Sequence, residues 1–359
     1  MPETSVRIVF FDAKDYDIAS FEQALPLFRQ RHPDAPPVDL KFQDTRLSPD
    51  TVGLAQGAQV VCVFVNDLVT GDLVDQLAAM GVRLIALRCA GYNNVDIEAA
   101  YGKIHVVRVP AYSPYAVAEH AMALLMTSIR RIHKAYIRTR DFNFSLSGLT
   151  GFDFHGKTVG VVGTGKIGAC FIRICQGFGM RVLAFDKFPS EALRASGVEY
   201  VPLEEIWAQA DIISFHCPLT DETNHMVNAE TIPLMKKGVV LVNTSRGALI
   251  DSDALLEGIK SRQIGAACLD VYEEESDLFF HDFSGHIVED DTLARLISMP
   301  NVIVTSHQAF LTREALENIA STTLDNIHQF FTDGFCANEL CYKCPSIDSC
   351  PRDHAHKCF

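Results

Sequence analysis

The sequence predicts an α/β protein made of two doubly wound domains. Three observations lead there. Short apolar runs alternate with helix-period segments along most of the chain, and the alternation comes in two successive series. The second series opens on the glycine loop Gly163-Thr164-Gly165-Lys166-Ile167-Gly168. At 359 residues there is room for two domains, each with its own core. Strand–helix alternation implies parallel sheets, because parallel strands need long crossovers that then cover both faces.

In the first series the apolar runs are 6–11, ending at Asp12, then 60–65, 84–87 and 105–109, the last stopped by Pro110. Helical periodicity separates them, as over 73–80. One long helix is then expected over 115–140. It is rich in Ala116, Ala118, Ala121 and Ala123, with Pro114 suited to its first turn. Its later part, Arg130-Arg131-Ile132-His133-Lys134, reads either as a solvated basic face or as part of an arm gripping another subunit. The second series places strands at 158–162, 182–185, 212–216, 239–243, 266–269 and 302–304. A last helix, 313–331, is expected to return to the first domain. The domains are therefore 1–110 with 308–335, interrupted by 111–307, and residues 336–359 form a cysteine-rich tail.

Composition excludes several classes of function. Net charge is −14, with no local Lys/Arg excess, so no nucleic-acid partner is expected. No uncharged apolar run reaches the roughly 18 residues of a membrane span. The opening MPETSVRIVFFD lacks a basic region followed by an apolar stretch, so no secretory signal is read and a cytoplasmic location is expected. Six of the 11 cysteines lie between Cys62 and Cys268, several inside apolar patterns, and read as small buried hydrophobes.

The glycine loop has the context that gives GxGxxG meaning. A strand, Val159-Gly160-Val161-Val162, precedes it and a helical stretch follows. Gly163 permits the tight turn, Gly165 lets the backbone approach a pyrophosphate at the helix N-terminus, and Gly168 lets helix and strand pack closely. Lys166 and Ile167 would touch that pyrophosphate by backbone. The acid expected about 20 residues past the loop is Asp186. A carboxylate there accepts from ribose hydroxyls and repels a 2′-phosphate, which favours NAD over NADP; Lys187 beside it weakens that preference slightly.

Three strand ends carry further chemistry. Asn243-Thr244-Ser245-Arg246-Gly247, Asp270 through Glu275, and Thr305-Ser306-His307-Gln308 all fall at carboxyl edges, where ligands of such folds bind. A cation, an acid and an imidazole on the rim that holds a dinucleotide loop suit hydride and proton transfer at a carbonyl next to a carboxylate.

From about Val6 to Leu340 the chain resembles the D-isomer-specific 2-hydroxyacid dehydrogenases, and within them most the fermentative D-lactate dehydrogenases. The likeness rests on LRCAGYNNVD from Leu87, RVPAYSP from Arg108, AEHA from Ala118, GTGKIG, HCPLT, NTSRGALID, DVYEEESDLFF and HQAFLT. It implies a Rossmann-type NAD domain inserted into a flavodoxin-like substrate domain, and closure of one domain over the other. Arg246 would fork onto the substrate carboxylate and polarise the keto oxygen. His307 would be the general acid and base. Glu275 would orient its imidazole and favour the charged form; Glu273 and Glu274 would be solvated neighbours. The formate-oxidising branch carries Gln in place of Glu275, so that branch is disfavoured. Backbone amides at Ala90 and Gly91 would help bind the carboxylate, with Tyr112 and Phe310 lining the pocket. Cys217 and Pro218 would pack near adenosine, Thr244 and Asp270 would reach the ribose or carboxamide, and Thr223 and Ser245 complete the cofactor-binding set. His120 and His216 read as structural, and the chemistry needs no metal.

The implied reaction is NADH-dependent reduction of a small 2-keto acid, pyruvate first, to the D-2-hydroxy acid. Glyoxylate, hydroxypyruvate or a branched keto acid are alternative substrates, and a non-catalytic NADH-sensing scaffold is an alternative class. A homodimer or homotetramer is expected. The tail after Leu340, with Cys341, Cys344, Cys350, His354, His356 and Cys358, departs from the family pattern. With Cys336 it is expected to be disordered; a metal or redox switch and an intermolecular disulfide are the other readings.

Overall fold

The structure, a computed structural model, describes residues 5–275, 278–280, 282–334 and 336–342. It divides into two compact units, 1–113 with 312–359, and 114–311.

The first unit is built on a six-stranded sheet. Its strands are β1 (Val6–Phe10), β2 (Val38–Phe42), β3 (Val60–Val63), β4 (Leu84–Leu87), β5 (His105–Arg108) and, at the far end of the chain, β13 (Glu339–Leu340). Their order is β2-β1-β3-β4-β5-β13. The first five are parallel and follow the flavodoxin order. β3 and β4 read VVCV and LIAL and are buried at every position, as strands covered on both faces must be. Helices Asp15–Arg31 and Arg313–Asp333 supply Phe21, Phe28, Leu324 and Ile327 to this core. The second helix starts where Thr312 accepts from the Ala315 amide and stops at Gly334, whose φ of 68° ends it in the left-handed region.

The second unit holds β6 (Thr158–Val162), β7 (Arg181–Phe185), β8 (Glu199–Tyr200), β9 (Ile212–Phe215), β10 (Val239–Asn243), β11 (Ile264–Leu269) and β12 (Val302–Val304), in the order β8-β7-β6-β9-β10-β11-β12. All pairs are parallel. Successive residues of β10 alternate between two cores: Val239 and Leu241 face one, Val240 and Val242 the other. The order reverses between β6 and β9, which puts the ligand crevice of such a fold at the carboxyl ends of those strands. The helix Lys166–Gly177 starts directly after the glycine loop at that point.

Four features depart from the sequence expectations. The long helix is two helices, Pro114–Arg130 and Ile132–Arg140, broken at Arg131 with φ 53°. The chain packs back closely beside the break: a Cβ on Gly151 would lie 2.2 Å from the Ile129 carbonyl oxygen. β2 and β8 are additional edge strands. β13 runs antiparallel, pairing Glu339 with Val107 and Leu340 with Val106. The tail therefore does not begin at 336. Cys336 is buried, its thiol on Asn326 Oδ1 at 3.4 Å, and the Glu339 carboxylate meets His105 at 2.8 Å. Cys344, Cys350, His354, His356 and Cys358 lie outside the described residues. No helix among the described residues is long and apolar enough to cross a membrane.

Candidate active site

The second unit gathers most of the singled-out residues on one edge. Arg246 follows β10, Glu275 follows β11 and His307 follows β12. Buried Asn243 sets the Arg246 turn: its side chain accepts from the Ser245 amide at 3.0 Å and donates to the Arg246 carbonyl at 2.8 Å. The Ser245 hydroxyl donates to the Cys217 carbonyl at 2.7 Å, tying this turn to the end of β9. Among the described residues the guanidinium of Arg246 has one bond, Nη1 to the Ser245 carbonyl at 2.7 Å. Gly247 is required by contact: an added Cβ would sit 2.1 Å from the backbone carbon and oxygen of Tyr272. The Arg246 turn thus presses on the segment that leads into Glu275.

Glu275 holds His307. Its Oε1 lies 2.7 Å from His307 Nδ1, while Oε2 accepts from the Tyr272 amide at 3.0 Å. The two side chains keep 21% and 19% of their surface exposed, so the pair is set in the wall without being sealed off. With Nδ1 committed to the carboxylate, Nε2 is left to exchange a proton with a ligand. His307 has φ 51°, a conformation that non-glycine residues rarely adopt.

That strained backbone is braced by Asp270. The Asp270 carbonyl accepts from the His307 amide at 2.7 Å. Its carboxylate takes the Gln308 amide at 3.0 Å, the Ala309 amide at 2.8 Å and the Thr305 hydroxyl at 2.5 Å. His120 Nε2 lies 3.2 Å from the same carboxylate and 3.1 Å from the Thr305 hydroxyl. Burial pushes the Asp270 carboxyl up, but the bonds from His120, Thr305 and Ala309 outweigh it and hold its pKa below the ordinary value. The carboxylate expected to reach the cofactor is fully buried and occupied by these donors. Glu273 also departs from expectation. It pairs with His225 and accepts from the Ser252 hydroxyl at 3.3 Å, whereas Glu274 is exposed. The sequence signals for this bracing were faint: His120 and Thr305 stand inside quoted motifs, but the folds that bring them to Asp270 span 150 and 35 positions.

The residues around the glycine loop fit a dinucleotide. Gly163 has φ 93°, and a Cβ there would lie 2.5 Å from the Cys217 amide nitrogen, so β6 and β9 pinch together at the switch point. A Cβ on Gly168 would meet the Gly163 carbonyl at 2.1 Å, which is the close helix–strand packing the loop needs. Around Gly165 there is open space, room for a pyrophosphate at the amides of Lys166 and Ile167. Asp186 is half-buried at the end of β7, anchored by the Thr164 amide at 2.5 Å, the Thr164 hydroxyl at 3.0 Å and the Phe188 amide at 2.8 Å. The Tyr200 hydroxyl supports Thr164 at 2.9 Å. Lys187 is drawn to Glu222. Thr244 Oγ1 is a buried oxygen with no partner among the described residues, an acceptor and donor held in reserve. The Thr223 hydroxyl closes its own loop, on the Pro218 carbonyl at 2.8 Å, and Pro218 is exposed. Burial pushes the Cys217 thiol up to about 11 and the His216 imidazole down to about 3, so both are neutral. His216 bonds Ser214 at 2.9 Å and packs on Phe171. Phe310 is buried in this unit; Ala90, Gly91 and half-buried Tyr112 belong to the first.

The sequence profile of the D-isomer specific 2-hydroxyacid dehydrogenase NAD-binding domain matches residues 122–309. The chain belongs to that family. D-lactate dehydrogenase of Escherichia coli strain K12 is 50% identical over 336 residues, 93% of this chain and 100% of that protein. The pyruvate reductase of Chlamydomonas reinhardtii superposes with a TM-score of 0.85 at 44% identity, over 92% of this chain and 97% of the other. D-lactate dehydrogenase from Aquifex aeolicus, solved with NAD and lactic acid, gives 0.78 at 33% identity, over 90% and 95%. This D-2-hydroxyacid dehydrogenase is an NAD-dependent enzyme.

Proposed function

We propose that the enzyme reduces pyruvate to D-lactate with NADH, reversibly. The observation that supports this most is the Glu275–His307 pair at 2.7 Å beside the Arg246 turn. The relatives named for D-lactate and for pyruvate favour pyruvate as substrate. NADH supplies the hydride when bound. Arg246 holds the carboxylate by two parallel N–H bonds and draws electron density toward the keto oxygen. His307, charged and fixed by Glu275, gives its proton to that oxygen; in the reverse direction the neutral imidazole takes it back. The amides of Ala90 and Gly91, with Tyr112 and Phe310, are the further residues we assign to substrate binding.

The test is a panel of 2-keto acids with NADH, with the product of pyruvate resolved by chiral chromatography. Pyruvate should give the highest kcat/KM and only the D-isomer. A higher value for glyoxylate, hydroxypyruvate or a branched acid would move the assignment to that substrate. L-lactate as product would refute it.

The assembly belongs to the same reading. The helix Ile132–Arg140 has no buried residue, and Phe142, Phe144 and Leu146 after it are 83, 71 and 80% exposed. Such an apolar run suits a second copy of this chain. Light scattering should report a dimer or tetramer; a monomer at micromolar concentration would overturn this.

A further inference from the structure

The loop after β4 turns its carbonyl groups inward, one after another. The Cys89 carbonyl accepts from the Val109 amide at 3.2 Å and the Tyr92 carbonyl from the Val95 amide at 3.1 Å. The Gly91 carbonyl accepts from the Cys89 thiol at 3.2 Å. The Ala90 carbonyl accepts from Arg108 Nη1 at 2.8 Å. No peptide bond here is cis. In a planar trans peptide the N–H points opposite to its C=O. Four inward carbonyls therefore aim the amides of Ala90, Gly91, Tyr92 and Asn93 outward, and none of these meets an acceptor among the described residues. Successive outward amides form a cradle for an anion.

Of the four groups that hold these carbonyls, Arg108 supplies the charged donor. Its guanidinium carbon lies 5.1 Å from the centre of the Tyr92 ring, so the ring packs on the cation at the loop's outer limb. Its backbone is fixed on both sides: its amide donates to the Asn338 carbonyl at 3.1 Å, and its carbonyl accepts from Asn326 at 2.9 Å. A cation on the carbonyl end of the Ala90–Gly91 peptide polarises that peptide and makes its N–H a better donor. On the far side Asn94 anchors the loop to the Phe64 and Asp67 carbonyls, both at 2.8 Å.

We propose that Arg108 is a positioning residue for substrate: it holds the Ala90 carbonyl inward so that the Gly91 amide faces the substrate carboxylate. This rests on the reading of the enzyme as a 2-keto acid reductase. Arg108 touches neither substrate nor cofactor; its effect passes through one peptide plane. Removing it frees that peptide to flip and leaves the cradle one donor short, which weakens carboxylate binding while sparing the hydride step.

The experiment compares Arg108→Met and Arg108→Lys with the wild type. Steady-state kinetics are measured for pyruvate and for NADH, together with calorimetric binding of oxamate, a pyruvate-shaped carboxylate, to the NADH-loaded protein. Arg108→Met should raise the pyruvate KM and the oxamate Kd together by about tenfold or more, the weight of a charge-assisted hydrogen bond. Its kcat and NADH KM should stay within about threefold. Arg108→Lys keeps the charge and a donor and should recover most of the loss. The proposal is overturned if pyruvate KM and oxamate Kd in Arg108→Met stay within twofold, or if kcat and NADH KM shift as far as they do. Wild type that binds oxamate but turns over no 2-keto acid would sink the proposed reaction, and the oxamate shift would still decide the role of Arg108.

Discussion

Two clusters of charge at strand ends have opposite fates in this molecule. In the first unit Arg88, directly after β4, is fully buried. It bonds Asp17 at 3.2 and 3.3 Å and the Asp12 carbonyl at 2.7 Å, and it covers the Phe64 ring at 4.9 Å. Asp67 nearby is also fully buried, and burial pushes its carboxyl up to about 6 despite bonds from the Phe64 and Leu47 amides. In the second unit Glu275 and His307 make one bond to each other and stay a fifth exposed. Each place sets a basic side chain that follows a strand against a carboxylate. Access differs, and access separates a charge that holds a fold from one that can meet a substrate. Arg88 directs Nε and Nη2 at Asp17 and the Asp12 carbonyl inside the core, while the imidazole keeps one nitrogen for a ligand.

Substitutions should separate the clusters cleanly. The largest effect is expected at the open one. His307→Asn should lower kcat by about 10²–10⁴-fold, and Arg246→Ala should lower kcat/KM by a comparable factor. Neither should shift the urea midpoint appreciably. A twofold loss at either position would remove it from the chemistry. Arg88→Met should do the reverse, since it leaves Asp17 uncompensated in the core: about 3–5 kcal/mol of stability is lost, read as a lower urea midpoint. A midpoint unchanged within error would show that the buried pair is dispensable. The smallest effect at neutral pH is a slope that appears only on acidification. His216 is held neutral with a pKa of about 3, below its unfolded value of about 6.5. The unfolded chain gains the proton first, so stability is full above about 6.5 and is lost as pH falls toward 3. The loss is at most about 1.4 kcal/mol per pH unit. Denaturant titrations between these limits should show a flatter dependence in His216→Asn. An identical slope would assign the acid sensitivity elsewhere.

Much of this was legible in the sequence where the signal was local. The strand-loop-helix around Gly163, the runs VVCV and LIAL, and the rim residues Arg246, Glu275 and His307 each lie within a short window that declares its own structure. What was not legible depends on distant partners. β13 has two residues and exists because Val106 and Val107 offer an open sheet edge some 230 positions earlier. β2, VDLKF, alternates apolar and charged residues at an edge after two prolines, a weak strand signal. The break at Arg131 carries neither Gly nor Pro, and the segment packed beside it at Gly151 is some 20 positions away. The bracing by Asp270 was not legible, because the chain after β12 returns to its oxygens 35 to 39 positions later. Glu273 looked solvated because nothing near it in sequence announces His225.

The central claim is that His307 carries the proton in both directions, so the decisive measurement is kcat/KM against pH for pyruvate reduction and for D-lactate oxidation on the same enzyme. Two displaced profiles are expected: reduction strongest on the acid side, where the imidazole is charged, and oxidation rising as it becomes neutral. A single shared optimum would contradict it.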